Sequence, residues 1–185
     1  RIIREGDFEI SPCLDNLEIR LGEERLAANV LDTRTEDGIP VYFIERQDLY
    51  DRSGLYGSAT GDYEDNLERF SFFAHGALEA AEELSFKPDV IHCHDWQTGL
   101  VPALIKGPYE EGGFFGGTAT VFTIHNLGYQ GLFPEEKLPL TGLSKDGFFH
   151  PAGVEYWGKI SLLKAGVMYS NAITTVSPRY AEEIQ

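Results

Sequence analysis

The sequence predicts an α/β fold: a doubly wound, mostly parallel sheet entered through an N-terminal β-hairpin. Three observations carry this expectation. Short apolar, β-branched runs recur along the chain, each bounded by proline, glycine or polar residues, as expected of central strands buried on both faces. Stretches of helical periodicity separate them, and after the opening hairpin the order reads β, α, β, α, β, α, β, α. Such alternation implies parallel pairing with right-handed crossovers. Two of the runs also end directly in polar clusters, HCHDWQ at 92–97 and HNLGYQG at 125–131. Open α/β sheets bind ligands beyond the carboxyl ends of their strands, so the two clusters read as walls of one site.

In chain order, LEIR at 17–20 and RLAANVLD at 25–32 alternate loosely and predict the hairpin strands. Asp37-Gly38 marks a tight turn into VYFIE at 41–45, read as a buried strand. The stretch 48–66 is rich in Gly, Asp, Ser and Tyr without a period and reads as loop, with Asp62 or Asp65 placed to cap the next helix. Over 66–84, Leu67, Phe70, Ala74, Ala77, Leu78 and Ala81 recur at spacings of three and four, one face of an amphipathic helix. A strand over 89–93, a short apolar helix over 98–105, a glycine-rich loop over 108–117 and a strand over 118–124 follow. Residues 131–156 read as irregular, punctuated by Pro134, Pro139 and Pro151. A helix is expected over 158–170 and a strand over 172–176. Ser177-Pro178 then opens a last helix, with serine as its cap and proline at its first position.

Composition bounds the function. At 185 residues with 42% hydrophobic content the chain fits one globular domain with a real core. Fifteen basic against thirty acidic residues give a net charge of −15, which disfavours nucleic acid and anionic membranes as partners. Any phosphate must therefore be held by local groups working against the overall field. No apolar stretch approaches the ~20 residues needed to span a bilayer. The two cysteines, Cys13 and Cys93, cannot build a disulfide framework, and a reducing compartment is the simpler reading. The chain opens at Arg1 and closes inside a fresh helix, so both ends read as cut from something longer.

The clusters carry the chemistry. His92, His94 and Asp95 form H-x-H-D, and alternation puts both histidines on one side of the strand. With His125 one strand away they offer N and O ligands to a metal, but His92 lies within the strand, where it reads as a core histidine under a covering helix. Asp95 falls where strand turns to helix, so it either caps that helix or accepts hydrogen bonds from substrate hydroxyls, or both. Trp96 reads as core first and as a sugar platform second. His125 and Asn126 sit at a strand's carboxyl end, where a neutral imidazole can donate to a sugar hydroxyl or to developing charge. Tyr129 and Gln130 extend this wall, and Gly128 and Gly131 permit its turn. No G-x-x-x-x-G-K, G-x-G-x-x-G or G-x-S-x-G pattern is present.

Four segments in order and spacing are together highly specific: YFIERQDLYDRSGLYG with GDYEDNLERFSFF, then PDVIHCHDWQTGLVPALIK, TVFTIHNLGYQGLFP, and GVEYWGKISLLKAGVMYSNAITTVSPRYAEEIQ. They strongly resemble the bacterial glycogen synthases and plant starch synthases, retaining ADP-glucose glucosyltransferases of two Rossmann-like domains in the GT-B architecture. The resemblance implies that residues 1–185 are most of the N-terminal, acceptor-side domain, half of that architecture. The family's Lys-Gly-Gly loop would precede Arg1, and its nucleotide-binding C-terminal domain would follow Gln185. It implies that His125 contacts the transferred glucose near its 6-hydroxyl, that Asp95 stands at the sugar and acceptor side, and that Tyr56 lines the same cleft. Gly128 and Ser161 depart mildly from the family's alanine and asparagine. The implied reaction moves glucose from ADP-glucose to the 4-hydroxyl end of an α-1,4-glucan, with no cofactor or catalytic metal, in bacterial cytoplasm or plastid stroma. The chain by itself is expected to be inactive. Two rivals remain: a non-catalytic glucan-binding module, and a metal-dependent hydrolase built on His92, His94, Asp95 and His125.

Overall fold

A computed structural model describes residues 9–110 and 113–185. Strands β1 (Ser11–Leu21) and β2 (Glu24–Arg34) form the expected antiparallel hairpin, closing where Leu21 pairs with Glu24. Strand β3 (Pro40–Glu45) does not join the parallel series. It runs antiparallel to β2, with Arg34 opposite Pro40, as the third strand of the hairpin sheet. The reason is the turn itself. Gly38 takes φ +82° and donates its N–H to the Thr35 carbonyl, so the chain reverses within a few residues, and a strand leaving so tight a turn can only pair antiparallel. At the sheet edge β3 is half-buried rather than core, with Tyr42 exposed.

The stretch after β3 holds a helical turn, α1 (Gln47–Tyr50), and a minimal hairpin of β4 (Gly57–Ser58) and β5 (Gly61–Asp62). Helix α2 (Asn66–Glu83) follows as the periodicity requires. Its expected face delivers Leu67, Ala74 and Leu78 to the main core. The other side is also buried: Phe72 packs with Ile19, Leu21 and Ala28 beneath the hairpin sheet. The helix thus lies between two cores, and a Cβ at Gly76 would come 2.8 Å from Ile19 Cδ1. Asp65 stands at the N-cap without making a side-chain cap bond. Its carboxylate instead takes Arg52 through both oxygens, at 2.7 and 2.5 Å.

Strands β6 (Val90–His94) and β7 (Ala119–Ile124) pair in parallel, Cys93 beside Phe122 and His94 beside Thr123. Between them lie the turn α3 (Asp95–Thr98) and helix α4 (Leu100–Ile105), every residue of the latter buried. The segment read as irregular is more ordered than expected. Strand β8 (Leu132–Pro134), a 3-10 helix over Glu135–Thr141, helix α5 (Lys145–Phe148) and strand β9 (Glu155–Tyr156) lead into β10 (Lys159–Ser161), which pairs with both β8 and β9. The helix expected over 158–170 therefore begins later, as α6 (Leu162–Tyr169). Ser161 Oγ caps it by accepting from the Lys164 N–H. Strand β11 (Ala172–Thr175) joins β7 in parallel, completing the order β11-β7-β6, and α7 (Pro178–Glu183) begins with the predicted serine cap and proline.

One face of this parallel sheet is core, through Cys93, Phe122 and Ile124. On the other, His92, His94 and Thr174 are exposed, so β6 is not buried on both sides as expected. No helix among the described residues is long and apolar enough to cross a membrane.

Two stability outcomes follow from the packing. A Cβ at Gly99 would stand 2.0 Å from the Leu162 carbonyl oxygen, and backbone cannot yield as a side-chain tip can. Gly99→Ala is expected to destabilise by about 3 kcal/mol in urea titration, whereas Gly76→Ala, meeting only side-chain atoms of Ile19 and Ile44, changes stability by less than about 1 kcal/mol. His75, 1% exposed, lies between the Tyr109 hydroxyl and the Thr141 carbonyl. Burial, chiefly, holds its imidazole below the usual histidine range. The unfolded chain then binds a proton that the folded chain resists, so stability falls as pH drops below about 6.5. Melting temperatures between pH 7 and 5 should show this slope, reduced in His75→Gln.

Candidate active site

The two polar clusters meet because parallel pairing brings the carboxyl ends of β6 and β7 side by side. At this junction Asp95 adopts φ +55°, a left-handed conformation that aspartate tolerates better than most residues. Its carboxylate does not cap the helix it begins. Oδ1 instead accepts the backbone N–H of His125 at 2.7 Å and that of Asn126 at 3.3 Å, both on the neighbouring strand's exit. Thr98 secures the turn, its Oγ1 accepting from the His94 N–H at 2.5 Å and donating to the His94 carbonyl at 2.8 Å.

Beyond these strand ends opens a cleft of about 790 Å³, lined among others by Tyr56, Asp62, Glu64, Asp95, Trp96, Asn126, Tyr129, Gln130 and Phe133. Among the described residues that line it there is no lysine or arginine. Asn126 Oδ1 accepts from the Gly128 N–H at 2.9 Å, holding the turn. Tyr129 is 67% exposed and stands free in solvent. Gln130 is otherwise occupied: Nε2 donates to the Leu127 carbonyl at 2.7 Å and Oε1 accepts from Ser161 Oγ at 3.3 Å, so it braces the loop. Trp96 is 8% exposed and forms the floor, edge-on to Phe70 at 4.7 Å and against Tyr56 and Phe133 at 6.2 and 6.0 Å. Gly131 is what lets the loop lie on that ring. It takes φ +58°, and a Cβ there would fall 2.5 Å from Trp96 Cε3.

His125 is exposed at the rim, next to the lining rather than within it. Its Nε2 lies 3.0 Å from Nδ1 of His94. His92 is not the core histidine that its position suggested. It lies on the open sheet face, its ring 4.2 Å from that of His94 and its Nε2 2.6 Å from Thr123 Oγ1. Partial desolvation, then the His92 and His125 rings, hold the His94 imidazole below the usual range against a weaker opposing pull from Asp95. The four candidate ligands are thus turned toward each other, toward a threonine and toward backbone amides. Among the described residues no group of three or more histidine, cysteine, aspartate or glutamate side chains is placed to hold a metal ion.

Arg69 escaped the sequence reading. It is 4% exposed and makes no ion pair with a described carboxylate, donating instead to the carbonyls of Leu49 and Leu55 and to Asn66 Oδ1. The rings of Tyr63, Phe70 and Tyr50 lie 5.1, 5.4 and 5.9 Å from its guanidinium carbon. With Asn66 Nδ2 donating to the Tyr56 carbonyl at 2.8 Å, this pins the loop that presents Tyr56. Nothing in the sequence around it, with Glu68 before and Phe70 after, points to this role.

The geometry at Asp95 separates two substitutions. Asp95→Ala loses both the tolerance for positive φ and the acceptor for two amides, and should cost about 2 kcal/mol in thermal or urea unfolding. Asp95→Asn keeps both and should stay within about 1 kcal/mol of the parent.

Comparison with known proteins completes the picture. The starch synthase catalytic domain family matches residues 4–185. A glycogen synthase of Syntrophotalea carbinolica is 52% identical over 185 residues, all of this chain and 38% of that protein. A glycogen synthase 2 of Geobacter metallireducens is 41% identical over 98% of this chain and 37% of its own length. The chain therefore spans less than two-fifths of these relatives. Among solved structures, the catalytic domain of starch synthase IV from Arabidopsis thaliana, bound to ADP and acarbose, superposes with a TM-score of 0.85 at 31% identity, covering 96% of this chain and 36% of that one. The strand-end clusters, the cleft beyond them and the match along nearly the whole sequence lead to one conclusion: this chain belongs to the starch synthase catalytic domain family.

Proposed function

We propose that this chain is the acceptor-side half of a glycogen or starch synthase, which transfers glucose from ADP-glucose to the 4-hydroxyl end of an α-1,4-glucan with retention. The cleft beyond β6 and β7 is the observation that carries the reading. A carboxylate and a primary amide stand beside a floor and walls of aromatic rings, a lining suited to the hydroxyls and apolar faces of sugars. The relative bound to ADP and acarbose supports the nucleotide and glucan assignments. The lining also supports the domain assignment. Asp62, Glu64 and Asp95 bring only negative charge, so a nucleotide diphosphate must find its cations in another part of the protein.

Retaining glucosyl transfer passes through an oxocarbenium-like state as the diphosphate leaves and the acceptor hydroxyl attacks the same face. The protein's task is orientation and electrostatic stabilisation. In this reading His125 bonds the transferred glucose near its 6-hydroxyl. Asp95 sets the position of His125 and Asn126 through their amides while its carboxylate borders the sugar. Tyr56, Trp96, Asn126 and Tyr129 form the sugar-facing wall, and Gln130 serves by bracing it. The two free cysteines, with Cys93 buried and its thiol pushed up to about 12, are consistent with a reducing cytoplasm or stroma.

The test is steady-state kinetics of the full-length enzyme. His125→Ala should lower kcat by about 100-fold, with a smaller change in KM for ADP-glucose, since a donor acting on the transition state is lost. Turnover within about threefold of the parent would remove His125 from the reaction.

A further inference from the structure

We propose that His94 is a positioning residue that fixes, through one shared proton, which form of the His125 imidazole meets the ligand. The proposal rests on the sugar-contacting role of His125 and adds what selects its tautomer. His94 Nδ1 and His125 Nε2 are 3.0 Å apart, with ring centroids at 5.3 Å. Only one proton fits between them, because two facing N–H groups would repel. One ring therefore donates and the other accepts.

The proton count then follows for the neutral pair. If His94 donates from Nδ1, the Nε2 of His125 is filled as an acceptor and its own hydrogen must sit on Nδ1. If His125 donates from Nε2, His94 Nδ1 is bare and its hydrogen sits on Nε2. In either case both rings carry their proton on the nitrogen of the same name. The nitrogen of His125 left for a ligand hydroxyl is Nδ1, a donor in the first arrangement and an acceptor in the second. An isolated exposed imidazole would pass between these forms, whereas the paired one cannot do so unless His94 changes with it.

His94 is well held for this task. Its backbone is clamped by Thr98 on both N–H and carbonyl. Its ring lies against His92, whose Nε2 meets Thr123 Oγ1 at 2.6 Å, and that hydroxyl meets Thr174 Oγ1 at 2.6 Å, so the support crosses all three parallel strands. The charged and titratable groups facing His94 are His92, His125 and Asp95. The first two oppose a second positive charge beside them, which keeps the ring in its neutral, tautomer-bearing form.

The experiment uses full-length protein labelled with 15N at histidine, in which long-range proton–nitrogen spectra separate protonated from bare ring nitrogens. His94→Phe and His125→Ala identify the signals. In the parent, His94 and His125 are expected to show single tautomers of the same name. In His94→Phe, which keeps a flat ring against His92 but no nitrogen, His125 should become a mixture of forms. There kcat should fall about tenfold or more, with KM for ADP-glucose changed less than about threefold. Opposite-named tautomers in the parent, a single His125 tautomer that survives His94→Phe, or a kcat within about twofold of the parent would each overturn the proposal. Loss of turnover in His125→Ala alongside any of these would leave the sugar-site reading standing. Full turnover in His125→Ala would end that reading instead, while the spectra still decide whether the rings are paired.

Discussion

One carboxylate oxygen organises this end of the molecule. Asp95 Oδ1 accepts two consecutive amides from the strand next door, and so fixes the distance between the exits of β6 and β7 and the direction in which the second chain segment leaves. Everything downstream of Ile124 depends on that direction. The loop that turns at Asn126 must pass over Trp96 with no side chain at Gly131, and then supply β8 to the small sheet. The left-handed backbone at Asp95 costs on the order of 1–2 kcal/mol in a residue other than glycine. It is offset because the same conformation delivers the carboxylate to amides that would otherwise end in solvent at the close of a buried strand. The second oxygen makes no bond to a described residue, and Asp95 borders the cleft, so on the proposed reading one oxygen supports the backbone and the other is left for a ligand.

What was legible in the sequence follows from where each determinant lies. Helix α2 and strands β6, β7 and β11 were readable because their signals are local: a period of three and four, or a β-branched run between breakers. The meeting of the two polar clusters was readable for the same reason, since a polar residue directly behind a strand falls at its carboxyl end whatever the rest of the chain does. The errors lie where a partner distant in sequence decides. Strand β3 has the composition of a central strand, yet its tight turn commits it to the hairpin sheet. The far side of α2, with Phe72 and Gly76, is buried only because that sheet returns over it. Residues 159–161 have helical composition, but Ser161 takes the cap position and pairing with β8 extends the residues before it.

The side chains at the site show the same division. Residue type told that His92, His94, Asp95 and His125 were chemically capable, and a metal shell was a fair reading of the list. In the structure one nitrogen of each histidine and one oxygen of Asp95 are engaged by a ring nitrogen, a hydroxyl or backbone amides, and among the described residues no three such side chains are placed to hold a metal ion. Arg69 was invisible for the converse reason. Its work is done by carbonyls and ring faces contributed from residues 49–70, and nothing in the spacing of arginine within a helix foretells a loop wrapped around its head group.

The distribution of charge carries the functional argument one step further. A chain of net charge −15 whose described cleft lining holds three carboxylates and no lysine or arginine is poorly matched to a diphosphate. Two unit charges 4 Å apart at an effective dielectric of 20 interact by about 4 kcal/mol, enough to decide which ligand groups are admitted near Asp95. Neutral hydroxyls meet no such penalty, and they profit from acceptors such as carboxylates and from aromatic faces. Growing a glucan requires that an uncharged sugar end and a highly charged nucleotide meet at one carbon. On the proposed reading this half receives the uncharged side, and its acidity is then a selective feature: it repels the leaving diphosphate from the acceptor wall and leaves the cations that hold it to the opposite side of the cleft.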